Sequence, residues 1–197
     1  MKFITIDKNN WTPGIDRSRN AYRVFGPVRD ENGCQIKPLA PDTHPEMDAP
    51  VTVMSAKSVL FPQTEKLLTA TLDESKADHH IMKPVAKDET PRVVLGIRPY
   101  DAKAVQLVKL NFDNPDYQDP YWCSAYDATT LVGLGVTRPG PCDFSTSAGC
   151  GPFSEDGLDV LMADLDDKYL AKVLTEKGEK WAAACGFDTV ADEKESQ

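Results

Sequence analysis

Two stretches of this 197-residue chain hold the residue types best suited to chemistry. The first is Arg92–Ala104, RVVLGIRPYDAKA. Its turn presents Arg98, Tyr100 and Asp101 within four positions. A guanidinium there could pair with Asp101, or hold an acidic partner or a cofactor phosphate. Asp101 could equally be the N-cap of the helix that follows. The second stretch is Thr137–Pro152, TRPGPCDFSTSAGCGP, with Cys142, Ser145, Thr146, Ser147 and Cys150 among glycines and prolines. Such a loop exposes amides and hydroxyls. It could form a small anion nest or wrap a metal cluster, or be a surface turn cluster around one buried thiol. Cys123, Cys142 and Cys150 could together ligate iron or zinc if folding gathered them. Each could also be a buried apolar residue. Cys34 and Cys185 read as structural.

Other chemistries lack their signatures. The chain has no P-loop, no Ser-His-Asp set and no dinucleotide fingerprint, and GLG at 133–135 is too short to count as one. No CxxC occurs among the five cysteines, so zinc-ribbon and ferredoxin spacings are absent. The odd count argues against a disulfide framework. His44, His79 and His80 sit in polar stretches without metal-ligand spacing.

The elements around these loops follow from hydrophobic patterning. Apolar residues 93–95 predict a buried strand, which Gly96 and Pro99 end. Asp101–Asn111 predicts a helix, so the Arg98 turn is a βα turn of the kind where open α/β sheets place their sites. Further strands are expected over 2–7, 131–134, 158–163 and 169–175, and a last helix over Glu176–Cys185, capped by Gly186. Trp11–Tyr22 predicts a helix confined by Pro13 and Gly14 to its later part. DENG, Asp30–Gly33, between Tyr22–Val28 and Cys34–Lys37, predicts a hairpin. Residues 38–50, with four prolines, read as an extended surface loop. In Ser55–Leu68, Phe61-Pro62 is a break, and 64–68 reads as a helix start or a loop end packed on the core. Residues 73–90 are polar and expected to be exposed. The alternation of strands and helices predicts an α/β (or α+β) fold: a mixed sheet with flanking helices and long loops, with both chemistry-bearing loops on one edge. One domain over residues 1–187 is expected, followed by an acidic, disordered tail over 188–197.

Composition narrows the function classes. The chain is 41% hydrophobic and carries a formal charge of −9. An acidic surface repels phosphate backbones, which excludes nucleic acid as the expected partner. No apolar run reaches the ~20 residues of a membrane span. MKFITIDKNN lacks a signal-peptide core, so a cytoplasmic location is expected.

Six pieces occurring in order carry a family resemblance: YRVFGPV (22–28), SAKSVLFPQTEKLL (55–68), VVLGIRPYDAKAVQLVKLNF (93–112), DPYW (119–122), TSAGCGP (146–152) and GLDVLMADLDDKYLAKVLTEKG (157–178). The chain resembles the N-terminal domain of the sulfhydrogenase iron–sulfur beta subunit, and likewise the first subunit of anaerobic sulfite reductases. In that family a ferredoxin-like domain with two cluster motifs follows. The resemblance implies a stand-alone version of the first domain, working in anaerobic metabolism. A separate ferredoxin-like iron–sulfur subunit would supply the clusters, beside a flavin-containing subunit plus a catalytic metal subunit. The family places cysteines in R-P-C-D, after the next strand, and in C-F-C before T-S-x-G, a set that looks like the four ligands of one [4Fe–4S] cluster. Here those places hold Tyr100, Val136 or a neighbour, Asp143 and Ser145, with Cys142 one position away.

Three functions follow as expectations. The first is an accessory, electron-transfer subunit of a redox complex: a hydrogenase, a sulfur or sulfite reductase, or a heterodisulfide-reductase-like assembly. It would be non-catalytic itself and would dock a ferredoxin-like subunit through Arg98, Tyr100, Asp101, Ser145 and Ser147. The second is an electron carrier with its own cluster on Cys123, Cys142 and Cys150. The third is an enzyme acting on a small anionic molecule at loop 137–152.

Overall fold

A computed structural model describes residues 2–49, 52–140 and 143–187. Seven strands form one mixed sheet: β1 (Lys2–Asp7), β2 (Arg23–Asp30), β3 (Gly33–Pro38), β6 (Arg92–Ile97), β7 (Thr129–Leu134), β8 (Val160–Asp164) and β9 (Lys168–Val173). Their order is β1-β9-β8-β7-β6-β2-β3. The four central strands β2, β6, β7 and β8 run parallel. Antiparallel β3 and β9 flank them, with β1 outside β9. Two short strands, β4 (Leu68–Thr69) and β5 (Lys83–Pro84), pair separately at the base of an exposed arm.

Helices cover both faces, as parallel strands require. Helices α1 (Lys8–Ser18) and α4 (Glu176–Cys185) pack on one face, with Ile4, Trp11, Ile15, Val93, Leu95, Val132 and Trp181 in their core. Helices α2 (Pro99–Phe112) and α3 (Pro120–Asp127), with a 3-10 turn at Ala56–Val59, cover the other, over Val94, Ile97, Ala102, Val105, Trp122 and Leu131. The described residues thus form one α/β domain, as the strand and helix alternation predicts. The hairpin at Asp30–Gly33, the four parallel strands and α4 with its left-handed Gly186 cap all lie where the sequence places them.

Four expectations need correction. Helix α1 starts at Lys8 and runs through Pro13 and Gly14. Burial of Trp11, Ile15 and Ser18, spaced at i, i+4 and i+7, outweighs the weak propensity of the two residues. Gly14 is needed there, because a Cβ would stand 2.2 Å from the Phe187 ring. Residues 39–49 are a loop, but one only partly on the surface: Leu39, Pro45, Met47 and Ala49 are buried against the sheet, while Ala40, Pro41, Asp42 and Asp48 are exposed. Residues 64–68 neither begin a helix nor pack on the core; Leu67 and Leu68 are exposed. Helix α3 is additional. Its signals are Asp119, whose carboxylate accepts from the Tyr121 and Trp122 amides at 2.9 and 2.8 Å, and Pro120 at the first helical position. The tail expectation over 188–197 falls outside the described residues.

Candidate functional site

The site builds from the end of β6. Val93 and Leu95 point into one core and Val94 into the other. Continued alternation would send Ile97 after Leu95. Gly96, at φ +70°, sits in a register shift between Leu95 and Ile97, and Ile97 joins Val94 instead. The chain then leaves the sheet at Arg98, the N-cap residue of α2, with Pro99 at the first helical position. Asp101 is therefore inside the first turn and is not the N-cap.

Arg98 joins three segments. Its Nη1 donates to the carbonyls of Leu134 (3.4 Å) and Gly135 (3.3 Å), at the end of β7, and its Nη2 donates to the Ala49 carbonyl. The two chemistry-bearing loops thus share the C-terminal edge of the parallel strands. Arg98 and Asp101 form no direct ion pair. The Asp101 carboxylate instead accepts from Ser55 Oγ at 2.7 Å, tying the 3-10 turn to α2. Burial pulls the Arg98 guanidinium below its usual range, opposed by the nearby carboxylates of Asp101 and Asp143. Burial also raises the Tyr100 hydroxyl and the Asp101 carboxyl. Asp143 lies close enough for its charge to act on both Arg98 and Tyr100. The bonds of Arg98 to the Leu134 and Gly135 carbonyls bring the turn 98–101 against the entry to the second loop.

That loop is closed at its base. The Val136 amide donates to the Pro152 carbonyl at 3.0 Å, and Phe153 packs so tightly over Gly135 that a Cβ there would stand 2.2 Å from its ring. Ser145 and Ser147 belong to a 3-10 turn, Ser145–Ala148, ended by left-handed Gly149. Ser145 is half-buried and Ser147 exposed. Beside Arg98 a cleft of about 480 Å³ opens between Asp48, residues 134–138 and the β8–β9 turn, which contributes Asp164 and Asp166. It combines two guanidinium groups, Arg98 and Arg138, with three carboxylates. Asp164 is held by Lys8 at 2.7 Å. Ser55, Asp48, Asp164 and Asp166 were not readable as site residues, since each comes from a segment distant in the chain.

The cysteines are placed differently. Cys150 is buried, its Sγ 3.7 Å from the Gly151 carbonyl, and it stands near Lys103 at the start of α2. Cys123 is on α3, where Asp113 and Lys109 at the end of α2 act on it, and burial raises its thiol. Cys142 lies outside the described residues. Among the described residues no group of three or more His, Cys, Asp and Glu side chains is placed to hold a metal ion. Tyr100, Asp143 and Ser145 offer a phenol, a carboxylate and a hydroxyl. Such hard oxygen donors do not fit a cluster bound by four soft thiolates.

The chain is 22% identical, over 197 residues, to sulfhydrogenase 2 subunit beta of Pyrococcus furiosus. The match takes in 98% of this chain and 55% of that protein. The chain is related to that protein and spans about half its length. No protein-family model matches the sequence, and no solved structure matches the chain. Among the described residues no helix is long and apolar enough to cross a membrane.

Proposed function

We propose that the chain is a subunit of a multi-subunit redox complex and that its part is to dock and position an electron-transferring partner. The observation that carries this reading is relatedness, along nearly the whole chain, to the beta subunit of a hydrogenase. The docking edge is the C-terminal edge of β6 and β7, at Arg98, Tyr100, Asp101, Ser145 and Ser147. What supports that choice is the way one guanidinium locks three segments there into a single surface. A rigid edge suits the task, because electron transfer needs short, fixed separations between cofactors. The partner is a ferredoxin-like iron–sulfur subunit, and the clusters and flavin reside on partner chains. The hard donors at Tyr100, Asp143 and Ser145 favour this over a cluster in the same loops.

Iron and acid-labile sulfide, measured on anaerobically purified protein with and without its co-purifying partners, test the reading. Clusters in the complex and none on the isolated chain are the expected outcome. About four irons on the isolated chain would favour an electron carrier using Cys123, Cys142 and Cys150. Purification from the native host with no redox partner would sink the proposal. The acidic surface of the chain, at −9 overall, steers a basic partner. Asp48→Lys with Asp143→Lys should therefore slow complex assembly about ten-fold at low salt and much less at high salt.

A further inference from the structure

The face that carries α2 and α3 holds a groove separate from the Arg98 cleft. It is a cavity of about 300 Å³ between residues 60–67, the end of α2 and the start of α3. Phe112 and Trp122 stack as its floor at 5.4 Å. Phe61 tilts onto Phe112 at 5.1 Å yet stays 53% exposed. Leu67 and Tyr117, 50% and 56% exposed, complete the walls. Aromatic side chains left half in water beside a concave apolar floor are the usual anchors and pockets of protein interfaces.

The rim decides what fits. Two carboxylates, Glu65 and Asp119, line the groove and no basic side chain does. Asp119 uses Oδ1 to cap α3, which leaves its other oxygen for a ligand. Lys87, 5.7 Å above the Tyr121 ring, lines an adjoining cleft that shares Leu60, Glu65 and Tyr121 with the groove, and Asp88 offsets it there. A second copy of this chain, also at −9, would bring charge of the same sign.

We infer that the groove receives an amphipathic segment of a different protein, in which Leu- or Phe-type anchors are flanked by Lys or Arg. The anchors fill the space above Phe112 and Trp122, and the cations meet Glu65 and Asp119. This surface goes beyond the redox-complex reading and is tested on the isolated chain, so either can fail alone.

The probes are synthetic Leu/Lys and Leu/Glu helical peptides about 12 residues long, roughly three turns, titrated into the ¹⁵N-labelled full chain. The Leu/Lys peptide should cause saturable shifts in residues 60–67 and 112–122, including the Trp122 indole, and the Leu/Glu peptide should not. Glu65→Lys should weaken binding about ten-fold, a loss of 1.4 kcal/mol, while Glu31→Lys, at the far β2–β3 turn, leaves it unchanged. Absence of shifts in the groove, equal binding of the Leu/Glu peptide, or equal weakening by both variants would each overturn the inference. So would a dimer in sedimentation that Tyr117→Asp dissociates, since the occupant would then be a second copy.

Discussion

Asp101 is a carboxylate placed where its charge is costly. Burial raises its native-state pKa above the ordinary carboxylate value, and the Ser55 hydrogen bond and the charges of Lys57 and Arg98 only partly offset this. The native state therefore holds the proton more tightly than the unfolded chain does. This group's contribution is most favourable below the unfolded pKa and declines as pH rises through the raised native value. Asp101→Asn keeps an acceptor for Ser55 without the charge. Its melting temperature at pH 7 should equal or exceed that of the unmodified protein, with the difference shrinking toward pH 4. A loss that is equal at both pH values would refute the assignment. Asp101→Ala leaves the Ser55 hydroxyl without its acceptor and should cost about 1 kcal/mol. Arg98 makes the opposite use of charge, since three carbonyls depend on one fork. Arg98→Lys cannot reach all of them. It should cost about 2 kcal/mol in denaturant unfolding and should loosen loop 39–49 in hydrogen exchange.

The register shift at Gly96 does for β6 what Arg98 does for the loops. It turns Ile97 toward the α2 core and aims the chain at the site edge. An alanine there would adopt φ +70° and place its Cβ 3.3 Å from Met47 and Pro27. Gly96→Ala should cost about 1–2 kcal/mol in urea unfolding, and an unchanged midpoint would remove the bulge from the account. Gly96 also marks what the sequence made readable. The buried runs of β6 and β7, the DENG hairpin and α4 with its cap were open to local reasoning, because period and punctuation specify them. Helix α3 was marked as well, by Asp119 and Pro120, but is short enough to be passed over. Helix α1 was readable only in its later part; its start at Lys8 and its run through Pro13 and Gly14 were hidden, since they rest on Trp11 and Ile15 packing on a sheet formed mostly later in the chain. The site divides the same way. The Arg98 turn and the second loop were recognisable as chemistry on one edge. The Ser55–Asp101 bond and the Ala49 contact were not, because each spans more than 45 positions of sequence.

Among the described residues, two long stretches give nothing to either core, 61–91 and 135–157. The arm between β4 and β5 is held mostly by its own turns and by exposed ion pairs, Asp78–Lys83 and Asp73–Lys76. Pairs of that kind contribute little in water. The arm is also where Leu72 and Met82 stand 76% and 70% exposed. It therefore adds apolar surface without adding core, the arrangement expected of a segment kept for contact and not for folding. Thr69 lies directly opposite Lys83 in the β4–β5 pair. A two-residue Asn-Gly turn can join residues so placed. Replacing residues 70–82 by Asn-Gly should leave the circular dichroism spectrum intact and move the melting temperature by no more than about 2 °C. The groove keeps Phe61, Glu65 and Leu67 in this variant, so it should still bind the Leu/Lys peptide. A fall of more than about 5 °C, well over 0.5 kcal/mol for a domain of this size, would mean that the arm supports the sheet. Retained stability with lost assembly of the redox complex would instead place the arm in the partner interface, beside the groove and away from the Arg98 edge.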